Sequence, residues 1–359
     1  MSAPTLKNVV AVDQIVRYAD VGGRTVAWSE VGSGPALIIG GWWCSHVQAD
    51  WQDQRFRHFT LTLARNHRVI RYDRPGSGLS DRVGETPRTR DEEVAVLLGL
   101  AETIGLDSFS LLGASSGSVV TAATAAAAAG RVARLVIYGG YSHGADIASP
   151  AAQGAMLDMV RRHWGLGSRM LADVFMPGAT ADERTAFARY QRQVASSDDA
   201  AGELAQVYAH DSRDLLASIE APTLVLHRRA DRAIPFALGR DLADRIPGAC
   251  FLELGGAEHL PWLGASSEVT RATLAFLAGD DPGLLTTAGG EGPTAQPTLS
   301  VRELEVLGLV AQGCTDAQIA ERLTLSSHTV HRHVSNIRTK LGVSSRAAAA
   351  AWAVRSDRL

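Results

Sequence analysis

The chain has 359 residues, 46% of them hydrophobic and 20% charged, with a formal net charge of −3. Such a length suggests one large domain plus a small one, and so near-neutral a balance excludes a chain built throughout as a polyelectrolyte. Three cysteines far apart (Cys44, Cys250 and Cys314) in no metal-ligand spacing, no apolar leader and no uninterrupted apolar run of spanning length predict a cytoplasmic protein with reduced thiols, no metal, no cofactor and no membrane partner.

In chain order, 14–21 and 24–31 alternate around Gly22-Gly23 and read as a hairpin. Residues 36–39 form a buried strand running into Gly40-Gly41-Trp42-Trp43, 50–66 have helical periodicity, and 68–72 form the next strand. That strand ends in Asp73-Arg74-Pro75-Gly76-Ser77-Gly78-Leu79-Ser80-Asp81, a glycine-punctuated turn. An amphipathic helix over 89–104 precedes the apolar run Phe109-Ser110-Leu111-Leu112, which leads into Gly113-Ala114-Ser115-Ser116-Gly117 and an Ala-rich helix. A strand follows over 134–140. Strands alternating with helices predict an α/β fold with a mostly parallel, doubly wound sheet.

Alternation stops over 141–219, where apolar residues such as Leu157, Val160, Trp164, Phe187 and Tyr190 fall at helical spacing. Helices over 156–176 and 181–209, inserted between two strands, read as a lid. Strands at 223–227 and 250–254 and a helix over 268–278 complete the large domain, 1–278. Residues 279–297, rich in Gly, Pro and Thr, read as a flexible linker, and 298–359 as a second domain.

A serine in a Gly-x-Ser-x-Gly turn is lifted out of a sheet with a helix N-terminus behind it, but the pentapeptide alone discriminates little in a chain with 35 glycines. A serine nucleophile needs a base and an acid to orient it, in the order Ser, Asp or Glu, His. Asp231, after the seventh strand, and His259, after the eighth, supply them, with Asp146 after the sixth strand as a rival acid. With the Gly40-Gly41-Trp42 turn and the 73–80 turn, residues from about 14 to 278 resemble the α/β-hydrolase fold family. The resemblance implies Ser115 as nucleophile, His259 as base, Asp231 as its acid, and the backbone N–H groups of Trp42 and Ser116 as oxyanion hole. Many members carry His-Gly where this chain has Gly40-Gly41, so the support of that loop differs. Trp42, Trp43, Trp164 and Trp262 line either an apolar pocket or the core.

From Pro297 onward, eight cations face five anions, which suits this piece to a polyanion. Ser300 and Glu303 are spaced as a capping box for a helix ending near Gln312-Gly313. A second helix covers 316–323, and Ser326-Ser327 turn into a third on which Val330, Val334, Ile337 and Leu341 form one apolar stripe. His331, Arg332, Ser335, Asn336 and Thr339 fall opposite it, the arrangement a major-groove reader requires. The segment resembles the LuxR-type helix-turn-helix family. That resemblance implies base-edge contacts at His331, Arg332 and Ser335, phosphate contacts at Thr315, Ser327, Thr329, Arg338 and Lys340, and dimerisation through a last helix over 345–354.

The expected whole is a transcription regulator whose α/β-hydrolase domain senses a small-molecule ligand, with slow hydrolysis of that ligand as an intermediate case. Its expected partners are double-stranded promoter or operator DNA, that ligand, a second copy of the chain and RNA polymerase. The alternative is a serine esterase or lactonase with an accessory DNA-binding domain.

Overall fold

The computed structural model describes residues 14–82, 89–280 and 301–341, with 346, 349, 350 and 353. The chain divides into two compact units, 1–286 and 287–359.

The first unit is built on eight strands: β1 (Ile15–Val21), β2 (Arg24–Val31), β3 (Ala36–Ile39), β4 (Arg68–Tyr72), β5 (Phe109–Ala114), β6 (Val132–Tyr138), β7 (Thr223–Arg228) and β8 (Cys250–Leu254). Their order is β1-β2-β4-β3-β5-β6-β7-β8. Pairing is antiparallel between β1, β2 and β4 and parallel from β4 to β8. Along β5 every residue is buried, because helices cover both faces, as a parallel sheet demands. Leu111 packs on one face with Leu97 and Leu100 of α3 (Arg90–Thr103), Val120 of α4 (Gly117–Ala127) and Leu242 of α9 (Phe236–Arg245). Its neighbour Leu112 faces the other way, with Phe56 and Leu63 of α2 (Gln54–Leu63) and Phe276 of α10 (Ser266–Ala278).

Four helices stand between β6 and β7: α5 (Pro150–Arg162), α6 (Trp164–Phe175), α7 (Ala181–Val194) and α8 (Ser197–Ala209). Where continuous periodicity suggested one helix over 156–176, His163 at φ −137° and ψ 53° breaks the run. The expected helix over 181–209 is likewise two, because Ser196 at φ −68° and ψ 169° caps a new start, its hydroxyl accepting from the Asp199 amide at 3.1 Å. Hydrophobic spacing runs on through such breaks; caps do not. The helix expected over 50–66 begins at Gln54 after an Asp53 cap, with one separate turn, α1 (Val47–Asp50), before it. Helix α9, which the sequence reading passed over, follows Pro235 directly. From these helices, Val160, Leu171, Leu204 and Val207 share a core with Trp43 and Ile234 from loops at the C-terminal ends of the strands.

The second unit contains α11 (Val301–Ala311), α12 (Asp316–Leu323) and α13 (Ser327–Leu341). Val306 and Val310 of α11, Ile319 of α12, and Val330, Val334 and Ile337 of α13 form its core, the stripe on α13 facing inward as its spacing requires. Thr315 and Gln318 close a capping box at the start of α12, and Thr324 ends that helix in the left-handed region at φ 53°. The expected Ser300 cap, the residues of the last helix other than 346, 349, 350 and 353, and most of the expected linker lie outside the described residues.

Candidate functional site

Ser115 sits between β5 and α4 with φ 52°, a conformation that costs a residue with a Cβ roughly 1–2 kcal/mol. The surroundings hold it there: its N–H donates to the Tyr138 carbonyl at 3.0 Å, and its carbonyl accepts from the Ser118 amide at 3.0 Å and hydroxyl at 2.6 Å. Gly117 must be glycine for a contact reason, since a Cβ there would lie 2.8 Å from the Gly41 carbonyl oxygen. The serine turn and the 40–42 turn are thus packed backbone to backbone.

The Ser115 hydroxyl lies 2.7 Å from His259 Nε2, and His259 Nδ1 lies 2.8 Å from Asp231 Oδ2. Asp231 Oδ1 accepts from the amides of Ala233 at 2.8 Å and Ile234 at 3.2 Å, so the carboxylate is fixed before it meets the imidazole. Burial pushes the Asp231 carboxyl up, but the His259 ring, its hydrogen bond, the His227 ring and the Ile234 amide outweigh this and hold it below the usual range. An ionised Asp231 favours the imidazole tautomer with its proton on Nδ1, in which Nε2 accepts from Ser115. Asp146, the rival acid, is exposed and bonded to His143 at 3.0 Å.

The loop that carries His259 is held by residues that no sequence motif marked. Fully buried Arg228 donates from Nε to the Tyr138 hydroxyl at 2.7 Å and from its other nitrogens to the carbonyls of Gly255 and Leu263, at 3.0 and 2.9 Å. Tyr138 donates in turn to the Glu258 carbonyl at 2.9 Å. At the end of α6, the Phe175 carbonyl accepts from the His259 amide at 2.9 Å.

Among the hydrogen bonds of the described residues, the amides of Trp42 and Ser116 donate to no acceptor. The turn carrying Trp42 is braced from beneath by Arg74, which ion-pairs with Glu93 at 3.2 Å and Glu203 at 3.3 Å and donates to the Trp42 carbonyl at 3.4 Å. Burial works against the Arg74 charge, but the two carboxylates outweigh it and raise its pKa. Glu203 of α8 also accepts from the Cys44 amide at 3.2 Å, and Tyr190 of α7 donates to the Cys44 carbonyl at 2.9 Å. Cys44 stands at φ 55°. Helices α7 and α8 therefore both hold the Cys44 turn.

Ser115 and His259 open into a cavity of about 330 Å³, walled by Trp42, Trp43, Phe56, Phe175 and Trp262. Trp164 is not among its walls; its indole N–H donates to the Ala195 carbonyl at 3.0 Å and its ring meets Trp43 edge-on.

On α13, His331, Arg332 and Ser335 are exposed, as is Ser327 at the helix start, while Thr329 and Arg338 are half-buried. The Thr315 hydroxyl is engaged within its own capping box, accepting from the Gln318 amide and donating to its side chain. His331 also lies 3.6 Å from Asp316. The side chain of Lys340 lies outside the described residues. Among the described residues no cluster of His, Cys, Asp or Glu could hold a metal, and no helix is long and apolar enough to cross a membrane.

The sheet order, the serine at the strand-to-helix turn and the helical insertion define an α/β-hydrolase fold, here joined to a helix-turn-helix module. Residues 36–272 match the alpha/beta hydrolase family, to which the chain belongs, and residues 297–353 match the luxR family of bacterial regulatory proteins. Over 272 residues the chain is 28% identical to the 2-hydroxy-6-oxononadienedioate/2-hydroxy-6-oxononatrienedioate hydrolase of Burkholderia vietnamiensis (strain G4 / LMG 22486), spanning 73% of this chain and 90% of that one. The enol-lactonase from Burkholderia xenovorans LB400 superposes with a TM-score of 0.61 at 26% identity, covering 73% of this chain and all of that one. At the other end, 67 residues are 43% identical to the transcriptional regulatory protein LiaR of Bacillus subtilis (strain 168), 19% of this chain and 32% of that protein. The LuxR-type module implies DNA binding and supports a role in transcription regulation.

Proposed function

We propose that this chain is a cytoplasmic transcription regulator whose α/β-hydrolase domain binds a small carbonyl compound at Ser115, cleaves it slowly, and biases a DNA-binding dimer. The observation that carries this reading is the continuous Ser115–His259–Asp231 hydrogen-bond chain opening into an apolar cavity, on a chain whose other module belongs to the LuxR type. Ser115 attacks the carbonyl as His259 takes its proton, and Asp231 stabilises the imidazolium. The amides of Trp42 and Ser116 receive the oxyanion, each contributing about 3 kcal/mol. The imidazolium returns the proton to the departing alkoxide, and water, deprotonated by His259, then releases the acyl group from Ser115. The relatives named for lactone and dioate hydrolysis support a carbonyl ligand.

Ligand can bias the dimer only through different affinities for its two states. The lid is the element suited to report occupancy, because α7 and α8 bond directly to the Cys44 turn that borders the cavity. A serine hydrolase with accessory DNA binding is the second reading, favoured by the same assembled triad.

A reporter driven by a promoter near the protein's own gene, read with wild type and Ser115→Ala, separates the two. The regulator reading expects both to respond to inducer; loss of all ligand response with DNA binding intact favours the enzyme. In gel retardation, Arg332→Ala is expected to cost about 1–3 kcal/mol of sequence discrimination, since an exposed arginine of α13 is suited to guanine. Equal binding of promoter and random DNA by wild type at several salt concentrations sinks the regulator reading.

A further inference from the structure

The lining of the cavity at Ser115 is of two chemical kinds: buried aromatic rings, and the charged groups Asp53, Arg55 and Glu183, which are partly exposed, with Asp50 buried. Among the described residues lining it, Arg55 is the one guanidinium, against three carboxylates.

That guanidinium is already paired. Arg55 donates to Glu183 Oε1 of the lid at 2.8 Å and to Asp53 Oδ1 at 3.4 Å. Both acids are fixed independently: Asp53 caps α2 by accepting from the Arg55 amide at 2.8 Å, and Glu183 closes the capping box with Thr180. Hydrogen bonds from the Thr180 amide and hydroxyl, and then Arg55, hold Glu183 below the usual carboxylate range. Asp50 is bonded by the Tyr190 hydroxyl and paired with Arg71 behind the wall at 3.2 Å. His259 faces Ser115, and burial keeps the Cys44 thiol neutral.

A carboxylate entering this space would lose water and find no unpaired cation; the two unpaired amides, of Trp42 and Ser116, lie at Ser115, where an ester carbonyl uses them as well as an acid does. Anion sites instead present an open Arg fork or several N–H groups, because desolvating a charge without a partner is costly. The dioates for which several relatives are named would bring two such charges past Asp53 and Glu183.

Resting on the sensing reading above, we propose that the ligand is an uncharged ester or lactone with an apolar body and no free carboxylate, and that dicarboxylates do not bind. A volume of about 330 Å³ lies at the small end of the usual ~300–1,000 Å³ range, so the compound is compact.

The test uses full-length Ser115→Ala, to prevent turnover, and the quenching of its tryptophan emission by two probes of one acyl skeleton: methyl 4-phenylbutanoate and the 4-phenylbutanoate anion. The ester is expected to bind at least tenfold more tightly, a difference of about 1.4 kcal/mol. Adding Asp53→Asn and Glu183→Gln keeps both helix caps but frees Arg55, and should tighten the anion about tenfold while moving the ester less than threefold. Thermal melts check that both proteins are folded. Anion binding as tight as the ester's, or a gap unchanged in the triple variant, overturns the proposal and leaves sensing intact. Quenching by neither probe at millimolar concentration overturns the sensing reading itself, and this one with it.

Discussion

Arg228 and Tyr138 form a clamp on the loop that carries His259: the guanidinium donates to the phenol at 2.7 Å, and the phenol donates to the Glu258 carbonyl at 2.9 Å. The remaining guanidinium donors reach carbonyls at both ends of the loop. Arg228→Ala leaves these buried acceptors unmet and is expected to cost about 3 kcal/mol in urea unfolding. Arg228→Lys, a single ammonium in place of a fork, should recover only part of that. A loss below 1 kcal/mol for the alanine variant would remove the clamp from the account.

Glu203 is a lid residue that bonds both the Cys44 amide and Arg74. Glu203→Ala should let the Cys44 turn relax from its left-handed conformation and shift the Trp42 amide away from the carbonyl oxygen. Turnover of a short-chain aryl ester is expected to drop about tenfold in kcat with KM within threefold, less than the ~10²–10³ lost with a whole oxyanion donor. A change confined to KM would mean that Glu203 shapes the cavity and not the turn.

The strain at Ser115 has a sign that can be read. Glycine accepts φ 52° without a Cβ clash, which relieves roughly 1–2 kcal/mol, against ~0.5–1 kcal/mol for the greater freedom of glycine in the unfolded chain. Ser115→Gly should therefore raise stability by up to about 1.5 kcal/mol while abolishing hydrolysis. A destabilised, inactive variant would contradict the strain argument.

His210, bonded to the Tyr141 hydroxyl at 3.4 Å, is pushed down to about 4, mainly by burial, with Glu93 opposing and Arg74 and Arg90 adding to the shift. The unfolded chain takes up this proton near pH 6.5 and the folded one only near 4, so stability present above 6.5 is lost as pH falls through that window. Asp73, raised to about 7 mainly by burial, works the other way, so the comparison must be with His210→Gln. Between pH 7 and 5 the variant should gain up to about 2 kcal/mol relative to wild type in urea unfolding. A difference independent of pH would place His210 outside the acid response.

Both folds were legible in the sequence. The strand bounds 24–31, 36–39, 68–72 and 250–254 and the helix 316–323 follow from local patterning, because apolar period and turn chemistry are written residue by residue. The chain order Ser115, Asp231, His259 was equally plain, since each follows a strand and strand ends converge at one edge of a parallel sheet. Asp231, preferred over Asp146 by the resemblance, is the acid that the tertiary structure brings to His259, at 2.8 Å across 28 positions of chain, while Asp146 lies exposed beside His143. The tertiary structure also showed what braces the 40–44 turn: Arg74, Glu93 and Glu203 come from a turn and from helices α3 and α8, and only folding brings them together. Arg228 and the paired state of Arg55 belong to the same class. A buried or neutralised arginine looks in sequence like any other, and the partners that set its charge balance lie up to 129 positions away.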